Sequence, residues 1–161
     1  TIQSRGLGDV YKRQCENNLY SSFAIGNFVK AYSKEEAEKT LIENKIVILV
    51  GGLGNPLFTT DSTASVRAVE LNSDIMLKAT TVDGIYSDDP KINKKAIKYD
   101  FLTFDEAITK NLKVMDQTSL CFCRDNNLDV RVFNADSQGA ILEAITNENT
   151  KIGTLVRLKN D

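Results

Sequence analysis

The stretch "IVILVGGLGNPLFTTDS", residues 46–62, joins five apolar residues directly to a glycine-rich loop and then to a row of hydroxyls and an acid. The apolar run is rich in β-branched residues, which predicts a central parallel strand buried on both faces. After the loop, Thr60, Asp61 or Ser62 can cap a helix. A strand, a glycine loop and a helix in this order predict an α/β fold.

Strand and helix patterns alternate along the rest of the chain. Two helix starts carry capping boxes, one at Ser33 with Glu36 and one at Thr103 with Glu106. The alternation predicts βαβ units in a three-layer αβα arrangement with a mainly parallel sheet. Further helices are predicted at residues 33–44, 103–111, 116–127 and 137–146, and further strands at 74–80, 129–135 and 152–157.

Length and charge limit the possible functions. The chain has 161 residues, of which 42% are hydrophobic, and this length suits one domain. Twenty basic residues against 22 acidic ones give a formal net charge of -2, which argues against nucleic acid as a partner. Apolar runs are far shorter than the roughly 20 residues that span a bilayer, so no membrane segment is expected.

The cysteine and histidine content limits the catalytic mechanisms that the chain could use. Cys15, Cys121 and Cys123 form no CxxC pair, which favours a reducing, cytoplasmic compartment over disulfides or a protein metal site. Core packing is the simplest role for Cys121 and Cys123. The chain has no histidine, so Ser-His-Asp and Cys-His mechanisms are excluded. Catalysis would have to use carboxylates, hydroxyls, backbone amides, lysine or arginine.

The first fourteen residues differ in pattern from the rest of the chain. "TIQSRGLGDVYKRQ" lacks helical or strand periodicity, and "DVYKRQ" matches the translation of a common sequencing adaptor. We therefore predict that residues 1–14 are an adaptor-derived scar and that the native domain lies in residues 15–161. The alternative is a genuine basic N-terminal arm.

The glycine loop is the first candidate site, because ligands of open parallel sheets lie beyond the carboxyl ends of the strands. Glycine-rich turns that enter a helix leave backbone amides free, and with the helix dipole these suit a phosphate. Hydroxyls of Thr59, Thr60 and Ser62 could reach phosphate oxygens, and the Asn55 amide could contact a base or sugar. The loop is neither a Walker A nor a GxGxxG motif. A simple turn that needs glycine for positive φ remains the alternative.

A second candidate is "KATTVDGIYSDDP", residues 78–90, which also leaves the end of a predicted strand. Asp83, Asp88 and Asp89 could contact a ribose hydroxyl or magnesium, and Tyr86 could stack on a base. The alternative is a solvated acidic turn.

Four segments carry a family resemblance: "GGLGNPLFTTDS", "LKATTVDGIYSDDP", "KVMDQTS" and "VRVFN". In order, from about Leu19 to Val156, they resemble bacterial uridylate kinases (UMP kinases) of the amino acid kinase superfamily. The resemblance implies an amino acid kinase (carbamate kinase-like) fold and transfer of the γ-phosphoryl of ATP to UMP, with Mg²⁺. It also implies a cytoplasmic homohexamer regulated by GTP and UTP.

The same resemblance assigns site residues. Asp61 and Asp116 match acids at the reaction centre, and Thr80, Tyr86 and Asp89 match ATP contacts. Leu53 departs from the family, which often has threonine there. The segment that matches the UMP site comprises Leu53, Gly54, Asn55, Pro56, Leu57, Phe58, Thr59 and Thr60.

The family's N-terminal segment, with its K-x-S-G lysine and GGGN loop, has no counterpart in the sequence. We therefore predict an N-terminally truncated protein, and a 161-residue chain that by itself is inactive and prone to aggregate. Two alternatives remain open. One is another superfamily kinase, for aspartate, acetylglutamate or carbamate, and the other is a non-catalytic nucleotide-sensing module. The "GNPLFTT" stretch favours UMP.

Overall fold

The structure, a computed structural model, describes residues 15–112, 115–147 and 149–158. The predicted scar at residues 1–14 lies outside these ranges. The chain divides into two compact units, the first ending at Phe58 and the second beginning at Thr59. No helix in the described ranges is long and apolar enough to cross a membrane.

The first unit contains a small parallel sheet and one helix. β1 (Asn17–Ser21) lies between β2 (Lys30–Ala31) and β3 (Ile46–Val50), and both neighbours run parallel to it. Helix α1 (Lys34–Ile42) connects β2 to β3. The predicted strand at residues 46–50 and the predicted helix in residues 33–44 are therefore confirmed.

Helix α1 has half of its predicted capping box. The Ser33 hydroxyl accepts a hydrogen bond from the Glu36 amide at 3.4 Å. The Glu36 carboxylate instead forms an ion pair with Lys30 at 3.3 Å. A lysine within reach on the adjacent strand thus competes with the backbone amide for this carboxylate, which local sequence does not reveal.

Strand β3 differs from the prediction of a central strand buried on both faces. Within the described residues its one sheet neighbour is β1, so it lies at an edge. Ile46, Ile48 and Val50 are 51%, 41% and 41% exposed, and residues between them are partly buried. The prediction was wrong for the described residues, because apolar composition indicates a tendency to burial but does not specify which strands supply it.

The second unit is a mixed α/β arrangement around one four-stranded sheet. Its elements, in chain order, are α2 (Thr60–Glu70), β4 (Ile75–Thr80), β5 (Ile85–Tyr86), β6 (Lys98–Tyr99), β7 (Phe101–Thr103), α3 (Phe104–Thr109), α4 (Gln117–Asp125), β8 (Asp129–Asn134), α5 (Ala140–Thr146) and β9 (Thr154–Arg157). The sheet order is β4-β8-β9-β7, with parallel pairs β4–β8 and β7–β9 and an antiparallel pair β8–β9. β5 and β6 form a separate antiparallel pair.

The core of the second unit lies between this sheet and helices α3 and α4. Leu102, Phe104, Leu120, Val130 and Val156 are each at most 1% exposed within one apolar cluster. At the start of α3, both hydrogen bonds of the predicted capping box, between Thr103 and Glu106, are present. The core fixes α4 against the sheet. Asp116, a predicted site residue, is the N-cap of α4.

Helix α2 begins one residue earlier than predicted, because its N-cap is Thr59. The Thr59 hydroxyl accepts a hydrogen bond from the Ser62 amide at 3.1 Å. Thr60, Asp61 and Ser62 therefore occupy the first turn. This start places the Asp61 carboxylate in the first turn, where the helix dipole favours negative charge.

Candidate functional site

Asp116 is the centre of a hydroxyl cluster between helices α2 and α4. Its carboxylate caps α4 by accepting the Ser119 amide at 2.9 Å, and it also accepts the Ser119 hydroxyl at 2.7 Å. From α2, the Ser62 hydroxyl approaches both carboxylate oxygens at 3.2 Å. The Thr59 hydroxyl donates a further hydrogen bond to Asp116. Asp116 therefore connects the beginnings of the two helices.

The hydrogen bonds determine the charge state of Asp116. Partial burial by itself raises the pKa of this carboxyl, but the hydrogen bonds from Thr59, Ser119 and Ser62 outweigh burial. The net effect is a lowered pKa. Asp116 is thus a carboxylate at neutral pH, and it is a hydrogen-bond acceptor and a fixed negative charge.

Asp61 is held by a lysine that the sequence did not single out. The Lys78 ammonium in β4 lies 2.6 Å from Oδ2 of Asp61, and the two side chains are 23% and 27% exposed. The backbone carbonyl of Asp61 accepts a hydrogen bond from the Ser65 hydroxyl at 3.0 Å. The Asp61 side chain and backbone are both anchored within the second unit.

Small polar side chains fill the contact between α2 and α4 behind these acids. Ser65 and Cys123 are fully buried, and the Cys123 thiol donates to the Ser65 hydroxyl at 3.3 Å. Burial raises the pKa of the Cys123 thiol, so it stays protonated at neutral pH. The predicted core-packing role of Cys123 is confirmed. Serine and cysteine in these positions let the two helices approach closely.

The three residues predicted to contact ATP line one cleft of the second unit. Thr80 at the end of β4, Tyr86 in β5 and Asp89 after it surround a volume of about 590 Å³. Part of the wall of this cleft is apolar and consists of Val82, Ile85, Leu112 and Val132. Two lysines, Lys91 and Lys110, line another part of the wall. An apolar wall with a few charged groups suits a nucleotide base joined to phosphates.

Polar contacts hold the loop that bounds this cleft. The Tyr86 hydroxyl donates to the Asp83 carboxylate at 2.7 Å, and this hydrogen bond raises the pKa of Tyr86. Asp89 accepts the Lys91 amide at 2.8 Å. Asp88 accepts the Asn93 side-chain amide at 2.9 Å, which lowers the pKa of Asp88. The acidic turn is therefore ordered by its own carboxylates.

The glycine loop belongs to the first unit up to Phe58. Gly51, Gly52 and Gly54 have φ values of +78°, +65° and +75°. Both interpretations of the loop, as a phosphate site and as a simple turn, predict such positive values. The Ser22 hydroxyl fixes the loop by donating to the Gly52 carbonyl. Within the described residues, the backbone N–H groups of residues 52–55, 57 and 58 donate no hydrogen bond to the protein, and Pro56 has no N–H group. These amides are therefore available to an anion.

The Thr59 hydroxyl, predicted to contact UMP, has two partners within the protein. Its hydroxyl proton goes to Asp116, and its oxygen accepts the Ser62 amide. Because a hydroxyl has one proton, Asp116 and a ligand phosphate would compete for Thr59. Thr60 is exposed and has no such competitor among the described residues.

Two residues of the site were missed from the sequence. Lys78 could have been found, because a lysine inside an otherwise apolar strand, "IMLKAT", requires a partner. Ser119 gave no such signal, since serine in the first turn of a helix is ordinary. Its contact with Asp116 depends on the cap geometry.

Comparisons with known proteins agree with these observations. The protein-family model described as "Amino acid kinase family" matches residues 9–134 of the chain. The uridylate kinase of Acinetobacter baumannii is 41% identical over 145 residues, which cover 90% of this chain and 59% of that protein. The uridylate kinase of Alcanivorax borkumensis is 45% identical, over 93% of this chain and 59% of that protein.

A solved structure agrees as well. The UMP kinase from Bacillus anthracis gives a TM-score of 0.89 at 35% identity, covering 99% of this chain and 66% of that chain. The predicted fold class is thereby confirmed. The chain spans about three fifths of the length of the curated relatives it matches.

Proposed function

The chain belongs to the amino acid kinase family, and from this premise we propose that it forms the ATP-binding and reaction-centre part of a uridylate kinase. The reaction is transfer of the γ-phosphoryl group of ATP to UMP. One observation carries the proposal: Thr80, Tyr86 and Asp89, chosen from sequence, line a single cleft. The identities of 41% and 45% with proteins named uridylate kinase support UMP as the acceptor.

The glycine loop is the proposed UMP site. Among the described residues, backbone N–H groups between Gly52 and Phe58 donate no hydrogen bond to the protein, which supports binding of the UMP phosphate there. The Asn55 side chain is exposed and can hydrogen-bond to the base or sugar.

The proposed chemistry needs little from the protein beyond placement and charge. Phosphoryl transfer depends mainly on positioning the reactants and stabilising the charge that develops on the phosphoryl group. The UMP phosphate is an ionised nucleophile near neutral pH, so no strong base is required, and the lack of histidine is no obstacle. We assign Asp61 the orientation of cationic groups near the transferring phosphoryl, and Asp116 the placement of helix α2.

Magnesium fits this site as a partner of ATP. No group of three or more acidic, cysteine or histidine side chains that could hold a metal occurs in the described ranges. Mg²⁺ commonly binds through one or two carboxylates together with substrate phosphates and water. Asp61 or Asp89 would supply such an oxygen, and the ion would neutralise charge on the ATP phosphates.

Assembly and compartment rest on the same family resemblance. We propose a cytoplasmic homohexamer with GTP and UTP as effectors. Three free cysteines are consistent with a reducing compartment. Ile141, Leu142 and Ile145 on α5 are 52%, 67% and 65% exposed, and self-association would bury such a surface. Light scattering after gel filtration tests the hexamer.

The function is tested in a chain of full family length. We define the completed chain as residues 15–161 joined to the part of the Acinetobacter baumannii uridylate kinase that they do not match. Coupled ADP release with Mg²⁺ and ATP should depend on UMP. ADP release with aspartate, acetylglutamate or carbamate instead would identify another family kinase.

A sensing module would give a different result, since it would bind UMP or UTP without releasing ADP. The native Acinetobacter enzyme is the positive control for the assay. For residues 1–14, sequencing of the source DNA across the junction at residues 14 and 15 tests whether they are an adaptor-derived scar. Genomic DNA that encodes them would refute that origin.

A further inference from the structure

Lys78 occupies an unusual position in the second unit. It lies inside β4, where its neighbours Leu77 and Ala79 are apolar, and in register it pairs with Val132 of β8. Charged residues are depleted in strands, and a partly buried ammonium is costly without a partner. A lysine at this place therefore requires a specific compensating group.

That group is the Asp61 carboxylate. The distance of 2.6 Å between Nζ of Lys78 and Oδ2 of Asp61 corresponds to a short charge-assisted hydrogen bond. Both side chains are about three quarters buried, so solvent screens the pair less than a surface ion pair. The Asp61 backbone is already fixed in helix α2. Lys78 therefore restricts the rotation of the Asp61 carboxylate.

We propose that Lys78 is a positioning residue for phosphoryl transfer, and that it acts by holding the Asp61 carboxylate in one orientation. This inference rests on the proposed kinase function. Lys78 binds Oδ2, and within the described ranges no hydrogen bond reaches Oδ1. The pair thus presents one oriented oxygen to the reacting groups. Because Asp61 neutralises its charge, Lys78 is not assigned to a substrate phosphate.

A double-mutant cycle in the completed chain tests this assignment. Lys78→Met should lower kcat on the order of tenfold, while KM for UMP and for ATP changes less than about twofold. In the Asp61→Asn background, Lys78→Met should cause no further loss, because its effect passes through the carboxylate. Lys78→Arg should restore part of kcat. Lys34→Met, which removes an exposed ion pair with Glu38, is the matched control and should leave kcat unchanged.

Multiplicative losses in the double variant, or a large rise in KM, would mean that Lys78 contacts substrate directly and would overturn the proposal. Crystal structures give a readout that is independent of turnover. The Asp61 carboxylate should rotate away in Lys78→Met and keep its place in Lys78→Arg. If Lys78→Met does not fold, Lys78→Gln replaces it. An unmoved Asp61 contradicts positioning, whereas an unmutated completed chain that binds UMP without ADP release contradicts the kinase function alone.

Discussion

The Ser62 hydroxyl of helix α2 lies 3.2 Å from both carboxylate oxygens of Asp116, which caps helix α4. One acid therefore serves two helices that are far apart in sequence. Its removal should affect both the capping of α4 and the placement of α2.

We expect Asp116→Ala to lower the free energy of unfolding by about 1–3 kcal/mol, through loss of the cap and of the bonds to Ser62 and Thr59. Asp116→Asn keeps an acceptor for the Ser119 amide and should cost less than about 1 kcal/mol. Chemical denaturation of the completed chain measures both values. Equal losses in the two variants would show that the charge, and not the cap, determines stability.

The lowered pKa of Asp116 predicts an acid-dependent part of stability. A carboxyl with a lowered folded-state pKa stabilises the fold above its ordinary pKa of 3.8, and this contribution disappears as the pH falls through the lowered value. Between about pH 5 and about pH 3, the free energy of unfolding should therefore fall more in the unmutated chain than in Asp116→Asn. Denaturation curves at several pH values give this difference. Parallel curves would exclude Asp116 as its source.

Local patterns predicted most elements of the fold, because strands, caps and glycine turns depend on neighbouring residues. The assignment of Thr80, Tyr86 and Asp89 to ATP contacts came instead from the family resemblance, and these three residues line one cleft of the structure. The start of α2 was off by one residue. Thr59 and the next three residues can all cap a helix, and the contact that distinguishes Thr59 is with Asp116, 57 positions away.

Tertiary pairing was the information that the sequence lacked. An apolar run at Ile46–Val50 could not reveal that β3 has one neighbouring strand in the described residues. Likewise, Lys78 and Asp61 are 17 positions apart, and their contact depends on how α2 packs against β4.

Thr154 connects the cleft to the sheet, and its loss should weaken ATP binding. Its hydroxyl is fully buried, accepts the Ile85 amide at 2.8 Å and donates to the Tyr99 carbonyl. Thr154→Val removes both of these hydrogen bonds, so we expect a loss of about 1–3 kcal/mol in stability and a weaker Kd for ATP. Thr154→Ser keeps the hydroxyl and should retain most of both. Calorimetry with ATP and thermal denaturation provide the measurements.

Tyr86 should contribute to ATP binding through its ring. The hydroxyl is occupied by Asp83 at 2.7 Å, so Tyr86→Phe removes that hydrogen bond and keeps the aromatic surface. We expect Tyr86→Phe to change the ATP Kd by less than about twofold, and Tyr86→Ala to raise it about tenfold, as loss of base stacking does. Fluorescence titration with a labelled ATP analogue distinguishes the cases. Equal effects of both variants would assign the contribution to the hydroxyl.

Gly51 should be the glycine of the loop that tolerates substitution least. Its φ is +78°, and an added Cβ would lie 2.7 Å from the Ser21 hydroxyl oxygen. Gly139 has φ +80° with nothing within 4 Å, so Gly139→Ala isolates the backbone strain of about 1–2 kcal/mol. Gly51→Ala should cost clearly more than that in chemical denaturation of the completed chain.

Ser21 supplies the complementary test. Its hydroxyl is buried and has no hydrogen-bond partner among the described residues, so Ser21→Ala alone should be neutral or stabilising. Combined with Gly51→Ala, it removes the oxygen that the new methyl group meets and should return the loss to that of Gly139→Ala. A combined variant as unstable as Gly51→Ala would locate the conflict in the backbone of the loop and not at Ser21.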